Sequence, residues 1–441
     1  MKIHFIGIGG IGVSALAQYY LAKGHQISGS DLAVSEITEF LQKKGVKIFI
    51  GNSVENINPN FNLIIHSPAV KPDNLEYKKA KEFGIKTLSY PEALGELTKE
   101  YYTIAVSGSH GKSTTTAMTA LVLIKAGLDP TVIVGTKLKE FGNSNFRAGH
   151  SKYLVIEACE YDSSFLNYEP KIIVVTNIDK EHLDYFKTFA NVKKAFKNFI
   201  ARLSADGFLA FNIDDKYPPK VRKNKFKSMG YSVKQKEAGK LKKILRVPGM
   251  HNVSNGLAAL IVARILKIKD EIAFKALSEF KGTWRRFEII QPKIEKFKNL
   301  KIISDYAHHP NEIKATLNAA KEKFSENKIW CVFQPHQHQR TYYLFKDFVK
   351  TFRSAPIDNI IITDIYDVAG REITTSSRTH DKIGAKINNI SSEKLVKKIG
   401  KKNIIYMPID NLEKFVKENI TDGDILIIMG AGDIYKLADK F

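Results

Sequence analysis

The stretch IAVSGSHGKSTTT, Ile104 to Thr116, decides how the 441-residue chain is read. Ile104 to Ser107 are apolar or small and read as a buried strand. Gly108-Ser109-His110-Gly111-Lys112-Ser113-Thr114 follows, and an apolar helical pattern begins near Ala117. Strand, glycine loop, Lys-Ser and helix start make a phosphate cradle. The glycines let the backbone wrap until several N–H groups point at one anion. The helix start adds about half an elementary positive charge. Lys112 reaches the outer phosphates and the Ser113 hydroxyl completes a Mg²⁺ shell. Val106 stands where the general pattern has its first glycine. A glycine turn capping an ordinary helix would need neither the lysine nor the strand, so the loop is read as an ATP site.

Upstream, Lys2 to Ile6 reads as a strand. Gly7-Ile8-Gly9-Gly10-Ile11-Gly12 follows, then a helix from Val13 to Lys23 with Gly24 as its stop. A second strand, Gln26 to Gly29, ends at Ser30-Asp31. A glycine loop between strand and helix, with an acid about twenty residues on, is the dinucleotide fingerprint. By residues alone NAD is its default ligand. Leu63 to His66 and Lys86 to Ser89 read as strands, and Asn74 to Phe83 and Leu94 to Lys99 as helices. Ser67 sits at a strand's carboxyl end, where open sheets of this kind bind ligands. A domain boundary falls near Glu100.

Downstream, Tyr153 to Ile156 is a strand ending in EACEYD from Glu157. Lys171 to Thr176 is a strand ending in NIDKEH, which closes at His182. Acids at strand ends beside a phosphate loop suit Mg²⁺; a lone His suits it less, because that ion prefers oxygen. Lys216 to Lys243 is lysine-rich and weakly periodic, and is expected to form antiparallel edge strands and loops. Asn252 and Asn255 share a face in the first turn of a helix running through Leu266, where they could contact a base or phosphate or cap the helix. Phe280 to Glu288 marks a second boundary. Four strands beyond it, at Leu300–Ser304, Ile329–Phe333, Asn359–Thr363 and Asp424–Met429, end in polar clusters. Two of those clusters are rich in His, which fits anion binding, or zinc if metal ligands accompany them. The fold class is therefore α/β in three domains: Rossmann-like at residues 1–99, an ATP-binding P-loop-like domain at 100–282, and a doubly wound domain at 283–441.

The net charge of +22 raises a nucleic-acid reading. Only eleven of the 68 basic residues are Arg, the lysines are interspersed with acids, and no nucleic-acid motif is present. No apolar run approaches the length of a membrane span and MKIHFIGIGG carries no signal-peptide pattern. Two cysteines suggest neither a disulfide framework nor a Cys-based metal site, which fits the cytoplasm. Neither a nucleic acid nor a membrane is expected as partner, and the state expected is monomer or homodimer.

Taken in order, FIGIGGIG, SGSD, GSHGKSTTT, EACEYDSSFL, TNIDKEHLDYF, VPGMHNVSN, RRFE, DYAHHPNEI, FQPHQHQRT and MGAGDI resemble the Mur ligases of bacterial cell-wall synthesis over essentially the whole chain. That resemblance implies UDP of UDP-N-acetylmuramate, not NAD, at Gly9, Gly10, Ile11, Gly12, Ser30, Asp31 and Ser67. It implies ATP at Gly108 to Thr114 with Asn252, Asn255, Arg286 and Asp305. Lys112, Glu157, His182, Arg286 and Asp305 are the implied catalytic set, and Ser113, Glu157 and His182 would hold Mg²⁺, or Mn²⁺. His309, His336 and Arg340 fall where alanine-adding members engage a carboxylate. The implied reaction joins L-alanine to the lactyl carboxylate of UDP-N-acetylmuramate through an acyl phosphate, the outer domains closing to exclude water. Two departures stand out. Gln337 replaces an Arg usual after the His of FQPH, so restoring Arg is expected to tighten amino-acid binding. Cys159 and Tyr161 replace Asp and Ser, and EYD resembles the relative that attaches a ready-made tripeptide during cell-wall recycling. A dehydrogenase, a nucleotide-sensing regulator without catalysis and a nucleic-acid binder are the rival readings. The first leaves the Lys112 loop unexplained, the second predicts ATP binding with no amino-acid-dependent phosphate release, and the third is motivated only by charge.

Overall fold

In the computed structural model of the chain, residues 1–219, 226–367, 387 and 389–441 are described. They form two compact units: residues 1–179, 190–244 and 254–281, and residues 180–189, 245–253 and 282–441.

The first unit carries two sheets. Strands β1 (Lys2–Ile6), β2 (Gln26–Asp31), β3 (Lys47–Ile50), β4 (Leu63–His66) and β5 (Thr87–Ser89) are all parallel, in the order β3-β2-β1-β4-β5. The chain leaves β1 to one side for β2 and returns to its other side for β4. The glycine loop after β1 therefore opens at the point where strand order reverses. Its helix begins at once, at Ile11, and runs to Ala22. The helix Glu36–Lys43, entered through a Ser35–Thr38 capping box and carrying Ile37, Phe40 and Leu41 at helical spacing, and strand β3 are additional to the elements expected from the sequence.

The second sheet holds β6 (Tyr102–Ser107), β7 (Thr131–Leu138), β8 (Ser144–Arg147), β9 (Tyr153–Glu157), β10 (Ile172–Val175), β11 (Phe208–Asn212) and β12 (Lys227–Tyr231), in the order β12-β11-β10-β6-β9-β7-β8. All pairs are parallel except β7 with β8. Ile104, Ala105, Val106 and Ile172, Ile173, Val174 are fully buried, as strands covered on both faces must be. The lysine-rich stretch departs from expectation. β12 joins the edge parallel to β11, and Lys236–Ile244 is a helix. Ala238 and Leu241, three apart, bury one face of that helix while its lysines stay in water, a spacing that the surrounding polar residues mask in the sequence. Residues 220–225 of that stretch lie outside the described residues.

The second unit has one sheet: β13 (Glu288–Ile290), β14 (Lys301–Asp305), β15 (Ile329–Phe333), β16 (Asn359–Ile362), β17 (Ile404–Tyr406) and β18 (Ile425–Met429), in the order β13-β14-β18-β15-β16-β17. Only β13 is antiparallel. Alternate residues of β18 feed opposite layers. Ile425, Ile427 and Met429 pack in one core, and Leu426 and Ile428 in the other. Burying each such side chain stabilises by roughly 1.5–3 kcal/mol, so both faces need helices and both have them. Among the described residues no helix is long and apolar enough to cross a membrane.

Candidate active site

The loop after β6 is fixed by its own geometry. Gly108 has φ +135°, and a Cβ there would lie 1.9 Å from the Thr176 hydroxyl oxygen; Gly111 has φ +80°, and a Cβ would lie 2.5 Å from Asn255 Oδ1. No side chain fits either position. The end of β10 then pins the loop. Asn177 accepts from the Ser109 N–H (3.0 Å, carbonyl) and the His110 N–H (2.9 Å, Oδ1), and the Thr176 hydroxyl donates to the His110 carbonyl (2.6 Å). His110 Nε2 meets Asp179 at 3.0 Å. The helix Lys112–Lys125 starts immediately after Gly111, five residues before the apolar pattern. Its first-turn Ser-Thr-Thr-Thr is polar and mostly β-branched, which hides the start in sequence. The first N–H groups of that helix have no intrahelical acceptor, and this is what suits the loop to an anion.

Lys112 Nζ donates to the Gly108 carbonyl (2.6 Å) and the Ser109 carbonyl (3.0 Å), and pairs with Glu160 at 2.9 Å. Glu160 is fully buried. Burial is the largest single influence and pulls the ammonium's pKa down, but Glu160, Cys159 and Glu157 together more than reverse it and the net shift is upward. Burial first, and then Glu160, push the neighbouring Cys159 thiol up to about 12, so it is a neutral thiol near pH 7. At the end of β9, Glu157 Oε2 accepts from the Gly135 N–H at 2.9 Å. Its other oxygen and the buried Ser113 hydroxyl make no hydrogen bond among the described residues. Two unengaged oxygen donors of this kind fit a hard cation such as Mg²⁺.

At the first loop, Asp31 turns inward. Its Oδ2 accepts from the Gly9 N–H (2.7 Å) and its Oδ1 from the Leu32 N–H (2.8 Å). One oxygen thus already serves the glycine loop and the other the amide of the next residue, a different arrangement from the ribose contact expected of a dinucleotide site. Ser30 donates to the buried carboxylate of Glu76 at 2.5 Å, and Ser67 Oγ accepts from the Ala69 N–H at 3.2 Å. Gly9 to Gly12, Ser30, Asp31 and Ser67 all stand at the carboxyl ends of β1, β2 and β4.

In the second unit, Asp305 ends β14 and accepts from the N–H groups of Phe287 and Ala307, both at 2.8 Å. Burial raises its pKa although Arg286 opposes the shift. Arg286 lies 5.0 Å over the Tyr306 ring and 3.8 Å from Glu312. Its neighbour Arg285 is buried at φ +54° among Trp284, Tyr306 and Tyr435, and donates to the Gly430 and Gly432 carbonyls. Asn252 donates to the Pro248 carbonyl at 2.7 Å, and the helix Met250–Ile265 starts beside it. His309 Nδ1 accepts from the Asn311 N–H at 3.2 Å and so caps the helix Pro310–Lys323.

Arg340 is engaged by a protein carboxylate. Glu181 Oε1 accepts from its Nη2 at 2.8 Å and its Nε at 3.2 Å. Burial raises the Glu181 pKa, but Arg340 and the nearby histidines more than reverse this, and the group sits well below the usual carboxylate range. Arg340 Nη1 also donates to His336 Nδ1 (3.0 Å) and Gln337 Oε1 (3.3 Å), and His336 stacks on Tyr366 at 5.6 Å. Gln337 is thus the guanidinium's acceptor, and an arginine side chain in its place would face a second cation. That contact argues against the expectation that Gln337→Arg tightens amino-acid binding. His182, at φ +56°, precedes the short helix Leu183–Phe186 in the same unit.

Comparison with known proteins reproduces this three-sheet order. Mur ligase family, catalytic domain matches residues 2–102, Mur ligase middle domain 106–263, and Mur ligase, glutamate ligase domain 285–432. The chain belongs to the Mur ligase family. It is 41% identical to a UDP-N-acetylmuramate–L-alanine ligase of Clostridium botulinum, over 100% of this chain and 97% of that protein. The crystal structure of the UDP-N-acetylmuramate-alanine ligase of Thermotoga maritima superposes with TM-score 0.79 at 27% identity, covering 100% of this chain and 98% of that one. A murein peptide ligase from Psychrobacter arcticus shares the fold, with TM-score 0.69 at 22% identity over 99% and 97% of the two chains.

Three residues of this Mur ligase escaped the sequence reading as site members. Glu160 and Glu181 stand inside the quoted acidic runs, EACEYD and NIDKEH, where nothing local separates a buried counter-ion from a surface acid. Arg285 is the first Arg of RRFE, and only its burial, at 4% exposure, tells it apart from Arg286.

Proposed function

We propose that this Mur ligase uses ATP to join L-alanine to the lactyl carboxylate of UDP-N-acetylmuramate, in the cytoplasm, for peptidoglycan precursor synthesis. The observation that carries the reading is the Lys112 loop: a rigid anion cradle whose lysine is already oriented by Glu160 and two loop carbonyls. The lactyl carboxylate oxygen attacks the γ-phosphorus, the bond to the β,γ-bridging oxygen breaks, and ADP departs. The amine of L-alanine then attacks the acyl carbon of the resulting anhydride, inorganic phosphate leaves with its bonding pair, and the amine loses a proton. Lys112 would offset the charge of the two anions brought together. Ser113, Glu157 and, on the family resemblance, His182 would hold Mg²⁺, which when bound neutralises phosphate charge. Asn252, Asn255, Arg286 and Asp305 are assigned to the nucleotide, the first glycine loop to UDP, and His336 with Arg340 to the amino-acid carboxylate. Arg340 can serve there by sharing its fork between Glu181 and the ligand.

Phosphate release measured with ATP, Mg²⁺ and UDP-N-acetylmuramate, with single free amino acids or the cell-wall tripeptide as acceptor, tests the proposal. Release is expected with L-alanine. Release with the tripeptide alone would assign the chain to recycling instead, and nucleotide binding without acceptor-dependent release would make it a sensor.

A further inference from the structure

Within the first unit, a side chain of the ATP-binding sheet reaches the other glycine loop. Asn145 on β8 donates from Nδ2 to the Ile11 carbonyl and to Ser14 Oγ (2.9 Å), both in the first turn of the helix Ile11–Ala22. Its Oδ1 accepts from Gln18 Nε2 at 2.8 Å. Gln18 Oε1 in turn accepts from the Ser144 hydroxyl (3.0 Å) and the Lys44 ammonium (3.2 Å). Ser14, Gln18, Ser144 and Asn145 are all buried, none more than 4% exposed.

The direction of this chain of bonds is fixed at both ends. A carbonyl can only accept and an ammonium can only donate, so each amide between them has one permitted orientation. A buried polar network that is fully satisfied holds its members rigidly, and losing one bond leaves others unpaired at full desolvation cost. What it holds is the start of the helix that follows Gly9 and Gly10, the turn whose N–H groups would face a diphosphate if UDP occupies that loop.

We propose that Asn145 is a positioning residue for the nucleotide-sugar substrate: from the ATP-binding sheet it sets the helix start on which the substrate's diphosphate rests. This rests on the assignment of UDP to that loop. Mere packing between the two sheets would need only shape, and would not distinguish Asn from its isostere Asp. The network does distinguish them, because Asn145→Asp sets a carboxylate oxygen against the Ile11 carbonyl while still accepting from Gln18.

Calorimetric titration of wild type, Asn145→Asp and Gln18→Glu with UDP-N-acetylmuramate, and separately with ATP, tests the proposal. Asn145→Asp is expected to weaken UDP-N-acetylmuramate binding about tenfold or more while ATP affinity stays within about twofold; Gln18→Glu, which removes the donor to Asn145 Oδ1 and to the Ser14 carbonyl (3.4 Å) but leaves the bond from Asn145 to the Ile11 carbonyl, is expected to show a smaller loss of the same kind. If both ligands weaken in parallel, or neither does, the positioning role is wrong. If Asn145→Asp does not fold, Gln18→Glu is judged by the same split. Wild type that binds ATP but not UDP-N-acetylmuramate refutes the underlying assignment, and that result is read before any variant is made.

Discussion

Replacing Lys112 removes more than a phosphate contact, because the same ammonium neutralises a carboxylate with no access to water. Lys112 and Glu160 stand 2.9 Å apart with side chains 12% and 0% exposed. Breaking a buried pair by deleting one partner costs about 3–5 kcal/mol, whereas replacing both by neutral groups of similar shape is often close to neutral. Lys112→Met should therefore destabilise the protein by about 3–5 kcal/mol, and Lys112→Met with Glu160→Gln should recover most of that. Turnover should behave differently. Both variants lose the charge that offsets the transferring phosphoryl, so phosphate release should fall about 10³-fold or more in each. Urea unfolding gives the stabilities and a coupled phosphate assay gives the rates. A double variant no more stable than Lys112→Met would show that Glu160 is not the lysine's counter-ion. Activity returning along with stability would remove Lys112 from the chemistry altogether.

Glu181 titrates below its ordinary range, so its contribution to stability is complete above the unfolded value of about 4.3 and is lost as pH falls through the lower folded value. The stability gap between wild type and Glu181→Gln, followed by urea unfolding from pH 6 downward, should shrink only below that point; a constant gap would mean that Arg340 does not hold the carboxylate down. Gln337→Arg should raise the Michaelis constant for L-alanine, since the new guanidinium faces Arg340, which donates to Gln337 at 3.3 Å; a lowered constant would contradict the arrangement around Arg340. Gly108→Ala should cost more than about 2 kcal/mol and abolish ATP binding, because its Cβ meets the Thr176 hydroxyl oxygen at 1.9 Å at a φ that alanine resists; near-normal stability in thermal unfolding would mean the loop is softer than drawn.

Buried parallel strands announce themselves, and this is why so much of the architecture could be read from residues. Ile104–Ser107, Ile172–Val175 and Ile425–Met429 are runs of apolar or small residues ending in glycine or a polar turn, the pattern of strands buried on both faces. The Lys236–Ile244 helix failed the same reading because only Ala238 and Leu241 face inward, too few to set a period. At the site, sequence told which polar residues gather at strand ends but not whom they serve. Asp31, His309 and Arg340 all looked like ligand contacts, and each is claimed first by the protein: by the Gly9 amide, by a helix N-terminus and by Glu181. The acids that pair with the buried cations lie far off in the chain, Glu160 48 residues from Lys112 and Glu181 159 residues from Arg340, so no local pattern could name them. A buried charge must be paired somewhere. The useful question to put to a strand-end Lys or Arg is therefore which acid, elsewhere in the sequence, is hidden enough to need it. Applied to this chain, that question leads to the two acids the motifs contain but do not explain, and each pairs with a cation, Lys112 or Arg340, that the proposed function assigns to a phosphate or a carboxylate.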